Sequence, residues 1–345
     1  MPEISTAGSA PFRGRIGIVG AGAMGGFYAA KLFRAGHDVH FLMRRDYDVV
    51  RQRGLRVFSH MGDFEIKPPV YPTPEALGPC DLVIVGLKTT DNASLPTLLA
   101  PLIKPDTLVL TLQNGLGNED ELARVLGEIE RRGHSSGSSI PPPPAPEPGH
   151  RILGGVAFIC SYRDEPGVIR HTDHGWIRLA EFSGPARDRT HSIADLFRSA
   201  GIDIEVFDSL ARIRWAKLVW NVPFNGLGVA GGHATSRMIL EDEALLATAR
   251  GLMEEVVAGA RADDVTIDPA FIDQMIQATE SMGHYKSSMQ VDYEAGRPLE
   301  VESILGEPYR RAKRAGIAVP RMEFLYGAVR RLDRLRRSNG PAMGK

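Results

Sequence analysis

Cysteine is scarce. The 345-residue chain has two, Cys80 and Cys160, in separate apolar stretches and in no C-x-x-C pair. That excludes a disulfide framework and a cysteine-built zinc site, and it fits a reducing, cytoplasmic setting. Long apolar runs are also missing: none approaches the ~20 residues that span a bilayer, so no membrane partner is expected. Neither sign of charge dominates, with 41 Lys and Arg against 42 Asp and Glu. The chain therefore lacks the broad electrostatic footprint of a nucleic-acid binder. Its one basic run, Arg330, Arg331, Arg334, Arg336 and Arg337, reads as a solvated helix face. The first ten residues are small and polar without an apolar core, and read as a disordered leader, not a signal peptide. No repeat of 20–50 residues is evident.

What is present suits two domains. The first half alternates short β-rich runs with helical patterns, which predicts an α/β domain with a mostly parallel sheet. Residues 15–19 (RIGIV) and 39–43 are strand candidates that flank a helix over 23–33, stopped by Gly36. A hairpin is expected over 55–58 and 64–66. Residues 81–87 (DLVIVGL) and 107–112 (TLVLTL) are near-continuous apolar runs, as in strands buried on both faces. Three further strands are expected at 156–162, 168–172 and 176–181, a helix after Gly184, and a last strand at 204–207. From 209 onward the pattern is helical, for example over 244–262, 269–281 and 308–315. The expected domains are 12–207 and an all-helical 208–338. Residues 133–150 (GHSSGSSIPPPPAPEPGH) read as an exposed loop inserted in the first, because proline withholds backbone donors.

The turn Gly20-Ala21-Gly22-Ala23-Met24-Gly25 lies between a strand and a helix, the context in which G-x-G-x-x-G binds a dinucleotide. Gly20 permits the tight turn, Gly22 lets backbone approach a pyrophosphate, and Gly25 lets the helix pack on the strand. The phosphates then face free N–H groups at the helix start. The second strand ends Met43-Arg44-Arg45. A carboxylate there would favour NAD, whereas a guanidinium can grip the 2′-phosphate of NADP. Arg44 is the first candidate and Arg45 the second; Asp46 keeps an NAD reading open. Lys88 and Asn114 each follow an apolar strand, where ligands collect in open α/β sheets. Alone, they could equally be a surface lysine and a turn former.

In the second half, residues 215–230 (WAKLVWNVPFNGLGVA) carry one charge, Lys217, and two amides, Asn221 and Asn225. Their i, i+4, i+8 spacing puts them on one helix face amid apolar neighbours. Buried polar groups of this kind need partners. Pro223 is expected to kink the helix. Downstream, Ser288 reads locally as a capping or loop serine and Glu300 as an acid at a helix start.

Taken together, GAGAMG at Gly20, GHDVHFLMR ending at Arg44, VIVGLK ending at Lys88, QNG at Asn114, WAKLVWNVPFN, SSM at Ser288, GRPLEVESILG around Glu300 and AGIAVP ending at Pro320 resemble the ketopantoate reductase (2-dehydropantoate 2-reductase) family. The resemblance implies a Rossmann-type N-terminal domain, an all-helical C-terminal domain and a cleft between them. It implies reduction of the 2-oxo acid ketopantoate by NADPH to pantoate, a step toward coenzyme A. It implies Lys217 as catalytic lysine and Glu300 as its orienting carboxylate. Asn221, Asn225 and Ser288 would hold substrate, Asn114 would lie near nicotinamide and substrate, and Lys88 near the cofactor. No metal is required. Thr235 and Tyr285 stand where some members carry asparagine, which leaves the 2-oxo acid open. A β-hydroxyacid dehydrogenase and a non-catalytic NADP(H) sensor are the alternatives. The helical domain is a candidate for homodimer pairing, which nothing in the sequence fixes.

Overall fold

The computed structural model describes residues 12–134 and 148–339. The polar leader and the core of the proline-rich insertion, 135–147, lie outside the described residues. The chain divides into two compact units after Leu210, and the short loop Asn114–Gly117 groups with the second.

The first unit is built on one ten-stranded mixed sheet. Its strands are β1 (Ile16–Val19), β2 (Val39–Leu42), β3 (Leu55–Ser59), β4 (Phe64–Ile66), β5 (Val70–Tyr71), β6 (Leu82–Val85), β7 (Leu108–Thr111), β8 (Ile152–Arg163), β9 (Val168–Glu181) and β10 (Ile204–Val206). The order is β4-β3-β9-β8-β7-β6-β1-β2-β5, with β10 beside β9. From β5 to β8 every pairing is parallel; β8 and β9 pair antiparallel, as do β3 and β4. Strands β1, β2 and β6 are buried at every residue, which is why they read as apolar runs, interrupted only by His40 of β2. The helices here are α1 (Ala23–Arg34), α2 (Tyr47–Arg53), α3 (Pro74–Leu77), α4 (Leu95–Leu99), α5 (Asn118–His134) and α6 (Asp188–Ser199). Strand order reverses at β1, which lies between β2 and β6, and that switch point opens a crevice at the strands' carboxyl ends.

Two strand expectations need correction. Residues 168–172 and 176–181 form the single strand β9, and β8 starts four residues before the expected 156. His174 (φ 61°) and Gly175 (φ 119°) sit where the β8–β9 register shifts, so this polar stretch bulges without ending the strand. In β8 the pair Gly154-Gly155 looks like a loop but is needed for clearance. A Cβ at Gly154 would lie 2.4 Å from Leu210 Cδ1, and one at Gly155 2.5 Å from Leu112 Cδ2.

The second unit contains α7 (Leu210–Ala230), α8 (Ser236–Glu241), α9 (Glu243–Gly259), α10 (Ala270–Glu280), α11 (Ser288–Glu294), α12 (Glu307–Arg314) and α13 (Pro320–Asn339). Helix α7 continues through Pro223. It buries Trp215, Val219 and Val222 against a core that includes Met253, Val256, Ile304 and Val329. The Trp215 indole donates to Asp263 at 2.7 Å, which Arg311 pairs at 2.9 Å. The basic run on α13 is more than a solvated face, since Arg336 donates to the Tyr293 carbonyl at 2.7 Å. No helix among the described residues is long and apolar enough to cross a membrane.

Candidate active site

In the first unit the candidate residues gather at the switch point. Gly20 holds φ 95°, a left-handed conformation that any side chain would strain. A Cβ there would also meet the Leu87 nitrogen at 2.3 Å, so the glycine turn lies directly on the loop that leads to Lys88. A Cβ on Gly25 would lie 2.4 Å from the Gly20 carbonyl oxygen, which is the close packing of α1 that the motif requires. Gly22 differs: a Cβ there would meet nothing within 4 Å. No atom of the described residues crowds that position, which leaves open space for a group to approach the backbone. Ala21, Ala23 and Met24 keep partial exposure, while the helix is buried from Gly25 to Ala30. Helix α1 starts with no side-chain cap and no acidic residue in its first turn, leaving its N–H groups to an anion. These features fit the pyrophosphate of a dinucleotide.

Arg44 and Arg45 follow β2, both exposed, and neither forms an ion pair among the described residues. Asp46, which kept the NAD reading open, is buried; it pairs with Arg163 and accepts the Gly167 N–H at 3.0 Å. Lys88 is exposed at the end of β6, ahead of a short 3₁₀ turn. Beside it, Gln113 donates to the Leu87 carbonyl at 3.1 Å and to Asn92 at 2.7 Å.

In the second unit, Lys217 on α7 donates from Nζ to Asn114 Oδ1 at 2.8 Å. That bond joins two residues more than a hundred positions apart in the chain. The loop that carries Asn114 is seated on the segment that follows Glu300. Leu116 N–H donates to the Ser303 carbonyl at 2.9 Å, and Gly115 (φ 88°) comes so close that a Cβ would lie 2.2 Å from that oxygen. Residues 302–306 wind as a π-turn, an irregularity often found at functional sites. Glu300 is 5% exposed and lies two residues before this turn.

One and two turns beyond Lys217, Asn221 and Asn225 are both buried. Asn221 has no side-chain hydrogen bond to a described residue, so its donor and acceptor remain unused. Asn225 Oδ1 accepts from the Met289 N–H at 3.0 Å and from Ser288 Oγ at 3.4 Å. Helix α11 is thereby anchored on α7, and the Asn225 amide keeps its N–H₂ to offer. The capping role that local sequence suggested for Ser288 falls to Ser287, whose oxygen accepts from Gln290 N–H at 3.3 Å. Thr235 caps α8 and contacts His284 at 3.1 Å, while the Tyr285 ring lies 6.1 Å from Trp220.

Sequence reasoning missed Gly115, Ser303 and the Asp46–Arg163 pair. Gly115 had a signal in the doubled glycine of QNGLG; the other two depend on contacts distant in sequence. Among the described residues, no group of three or more His, Cys, Asp or Glu side chains is arranged to hold a metal ion.

Comparison with known proteins adds an independent finding. A family model described as ketopantoate reductase PanE/ApbA matches residues 16–184, and its companion, ketopantoate reductase PanE/ApbA C terminal, matches 209–333. A 2-dehydropantoate 2-reductase of Nostoc sp. is 41% identical over 323 residues, 92% of this chain and 94% of that protein. The crystal structure of a 2-dehydropantoate 2-reductase from Geobacter metallireducens GS-15 is 44% identical with a TM-score of 0.83, covering 92% of this chain and 99% of that one. A D-mandelate dehydrogenase solved with NADH and anilino(oxo)acetate shares the fold, with a TM-score of 0.81 at 22% identity over 94% of this chain and 99% of its own.

Proposed function

The chain belongs to the ketopantoate reductase family, and from that premise we propose that it reduces ketopantoate to pantoate with NADPH, at Lys217. The observation that carries this reading is the Lys217 Nζ–Asn114 Oδ1 bond at 2.8 Å, with the unpartnered Asn221 amide one turn away on the same helix. An ammonium has three donors, and the amide oxygen of Asn114 occupies one of them. An ammonium held in this way can turn a donor to the keto oxygen of a bound 2-oxo acid.

NADPH, when bound on Gly20–Gly25 with its 2′-phosphate at Arg44, supplies a hydride to the keto carbon. Lys217 Nζ donates to the keto oxygen, stabilises the negative charge that develops there, and gives up a proton to the forming alkoxide. Hydride and proton together account for the two-electron reduction to a 2-hydroxy acid. Asn114 fixes the direction of the ammonium, and the Glu300 carboxylate favours the charged lysine and accepts from the product hydroxyl. Ketopantoate carries a carboxylate and a hydroxyl at opposite ends of an apolar centre. Asn221, able to donate and accept, suits the hydroxyl; the N–H₂ of Asn225 supplies a donor, and Ser288, whose O–H is directed at Asn225, offers its oxygen as an acceptor. Lys88 contributes a cation beside the glycine turn.

The preference for NADP rests on Arg44 and on the burial of Asp46. The fold does not choose the cofactor by itself, since the D-mandelate dehydrogenase that shares it was solved with NADH. The two cysteines form no disulfide, which agrees with a cytoplasmic setting. Pairing of the helical unit with a second copy is part of the proposal, and a ketopantoate reductase from Staphylococcus aureus with the same fold is described as dimeric.

The test is a panel of 2-oxo acids assayed with NADPH and NADH. Ketopantoate with NADPH is expected to give the highest kcat/KM. Turnover of another 2-oxo acid without ketopantoate would overturn the substrate and keep the reaction class. Intact NADPH binding with no carbonyl turned over would favour a sensor.

A further inference from the structure

Arg44, Arg45 and Asp46 follow β2 at the corner where α2 begins, and Arg163 reaches this corner from β8. Arg44 and Arg45 are exposed, without an ion pair among the described residues. Asp46 follows them in sequence yet is buried, pairing with Arg163 at the far end of β8. The turn after β8 closes on the same carboxylate, with the Gly167 N–H at 3.0 Å. Gly167 itself holds φ 74°, and a Cβ there would press on Val49 of α2 at 3.2 Å. The β8–β9 turn is therefore fastened to the start of α2 through Asp46. Arg163 stands at the exposed end of β8, and desolvation together with the nearby Arg45 cation lowers its pKa from the ordinary arginine value. Arg163 and Arg45 thus feel each other's charge, and Asp46 sits within that field.

A carboxylate beyond the second strand is what a Rossmann-type fold uses to accept hydrogen bonds from a ribose 2′-OH, and it repels a 2′-phosphate. This chain carries such a carboxylate two residues after Arg44. We propose that Arg163 is the residue that makes it harmless. By holding Asp46 buried and neutralised, it leaves Arg44 and Arg45 to meet a 2′-phosphate without a competing negative charge. Arg163 is thus a positioning residue for cofactor choice, acting through Asp46 and drawn from a strand far away in sequence. The inference rests on the reading that the cofactor is NADPH.

The test measures Kd for NADPH and NADH by fluorescence titration, and for 2′,5′-ADP by calorimetry, in the whole protein. A wild-type protein without preference for NADPH would refute the cofactor reading, whatever the variants do. Given that preference, Arg163→Gln should lower the ratio of Kd(NADH) to Kd(NADPH) by about fivefold or more, as an uncompensated charge near the phosphate would. Binding of 2′,5′-ADP should weaken in parallel. Adding Asp46→Asn to Arg163→Gln should bring the ratio back to within about threefold of wild type, as the repelling charge is then gone. A ratio unmoved by Arg163→Gln, even with a lowered melting temperature, would reduce the pair to a structural clasp and overturn the proposal. A ratio that falls but is not restored by Asp46→Asn would mean that Arg163 touches the phosphate itself, which also overturns it. Should Arg163→Gln not fold, Arg163→Lys tests the same point: it keeps the cation and should keep the ratio, and a collapsed ratio would refute the charge argument.

Discussion

Gly22 and Gly25 differ in what a methyl group would meet, so their alanine variants should fail in different ways. At Gly25 the added carbon would lie 2.4 Å from the Gly20 carbonyl oxygen and 3.4 Å from Gly86 Cα, both backbone atoms. The turn must move to admit it, a form of overpacking that costs about 1–3 kcal/mol. For a unit of this size that is roughly 2–4 °C per kcal/mol, or a loss of about 2–12 °C. At Gly22 the same carbon meets no protein atom within 4 Å. Its φ of −74° suits alanine, and the cost is the poorer helix cap alone, about 0.5–1 kcal/mol. The methyl would stand where a pyrophosphate approaches the backbone, and NADPH affinity should fall by about 10–100-fold. Scanning fluorimetry and calorimetric titration separate the two effects. Gly22→Ala should melt near wild type and bind NADPH poorly; Gly25→Ala should lose both stability and binding. A Gly22→Ala protein that binds NADPH within twofold of wild type would refute the assignment of this turn to the cofactor.

Lys217→Ala should lower kcat/KM for ketopantoate by about 10²–10⁴-fold while Kd for NADPH stays near wild type, because a positioned acid and oxyanion donor is lost; steady-state kinetics with a cofactor titration checks both. Arg44→Ala should weaken NADPH by about 10–100-fold and NADH by far less, as expected for a charge-assisted contact to phosphate; equal weakening would mean that the phosphate lies elsewhere. His171 is buried against Phe27 and His60, with ring centroids 4.1 and 4.7 Å away. Burial first, and the His60 charge second, hold its pKa below the ordinary 6.5. The unfolded chain binds that proton more readily, so the stability His171 contributes is present above pH 6.5 and is lost as pH falls through its folded value. Melting temperature should therefore drop on acidification from pH 7.5 to 5.5, with a shallower drop in His171→Gln; equal slopes would contradict it.

Much of the candidate site's geometry was legible because it is written locally. The glycine turn, Arg44 and the stripe Lys217-Asn221-Asn225 each depend on spacing within one element, and helical geometry alone puts the last three on one face. Strands β1 and β6 were legible for the same reason, since burial on both faces leaves no polar position. What escaped the sequence is set by contacts between distant segments. Gly154 and Gly155 look like breakers, yet they clear room for Leu210 and Leu112. Polar residues around Gly175 look like a strand end, yet a bulge absorbs them. Ser288 looks like a cap because its neighbour Ser287 is one. Asp46 looks like a ribose ligand, yet it is buried and paired with Arg163, which arrives from β8.

Hydride transfer to C2 of ketopantoate is tested most directly by the fate of an isotope. Purified protein given ketopantoate and NADPH carrying deuterium on both C4 positions should yield pantoate with one deuterium at C2, in step with loss of absorbance at about 340 nm. Pantoate without deuterium, or no cofactor oxidation above the rate without ketopantoate, would contradict reduction of this substrate by this chain.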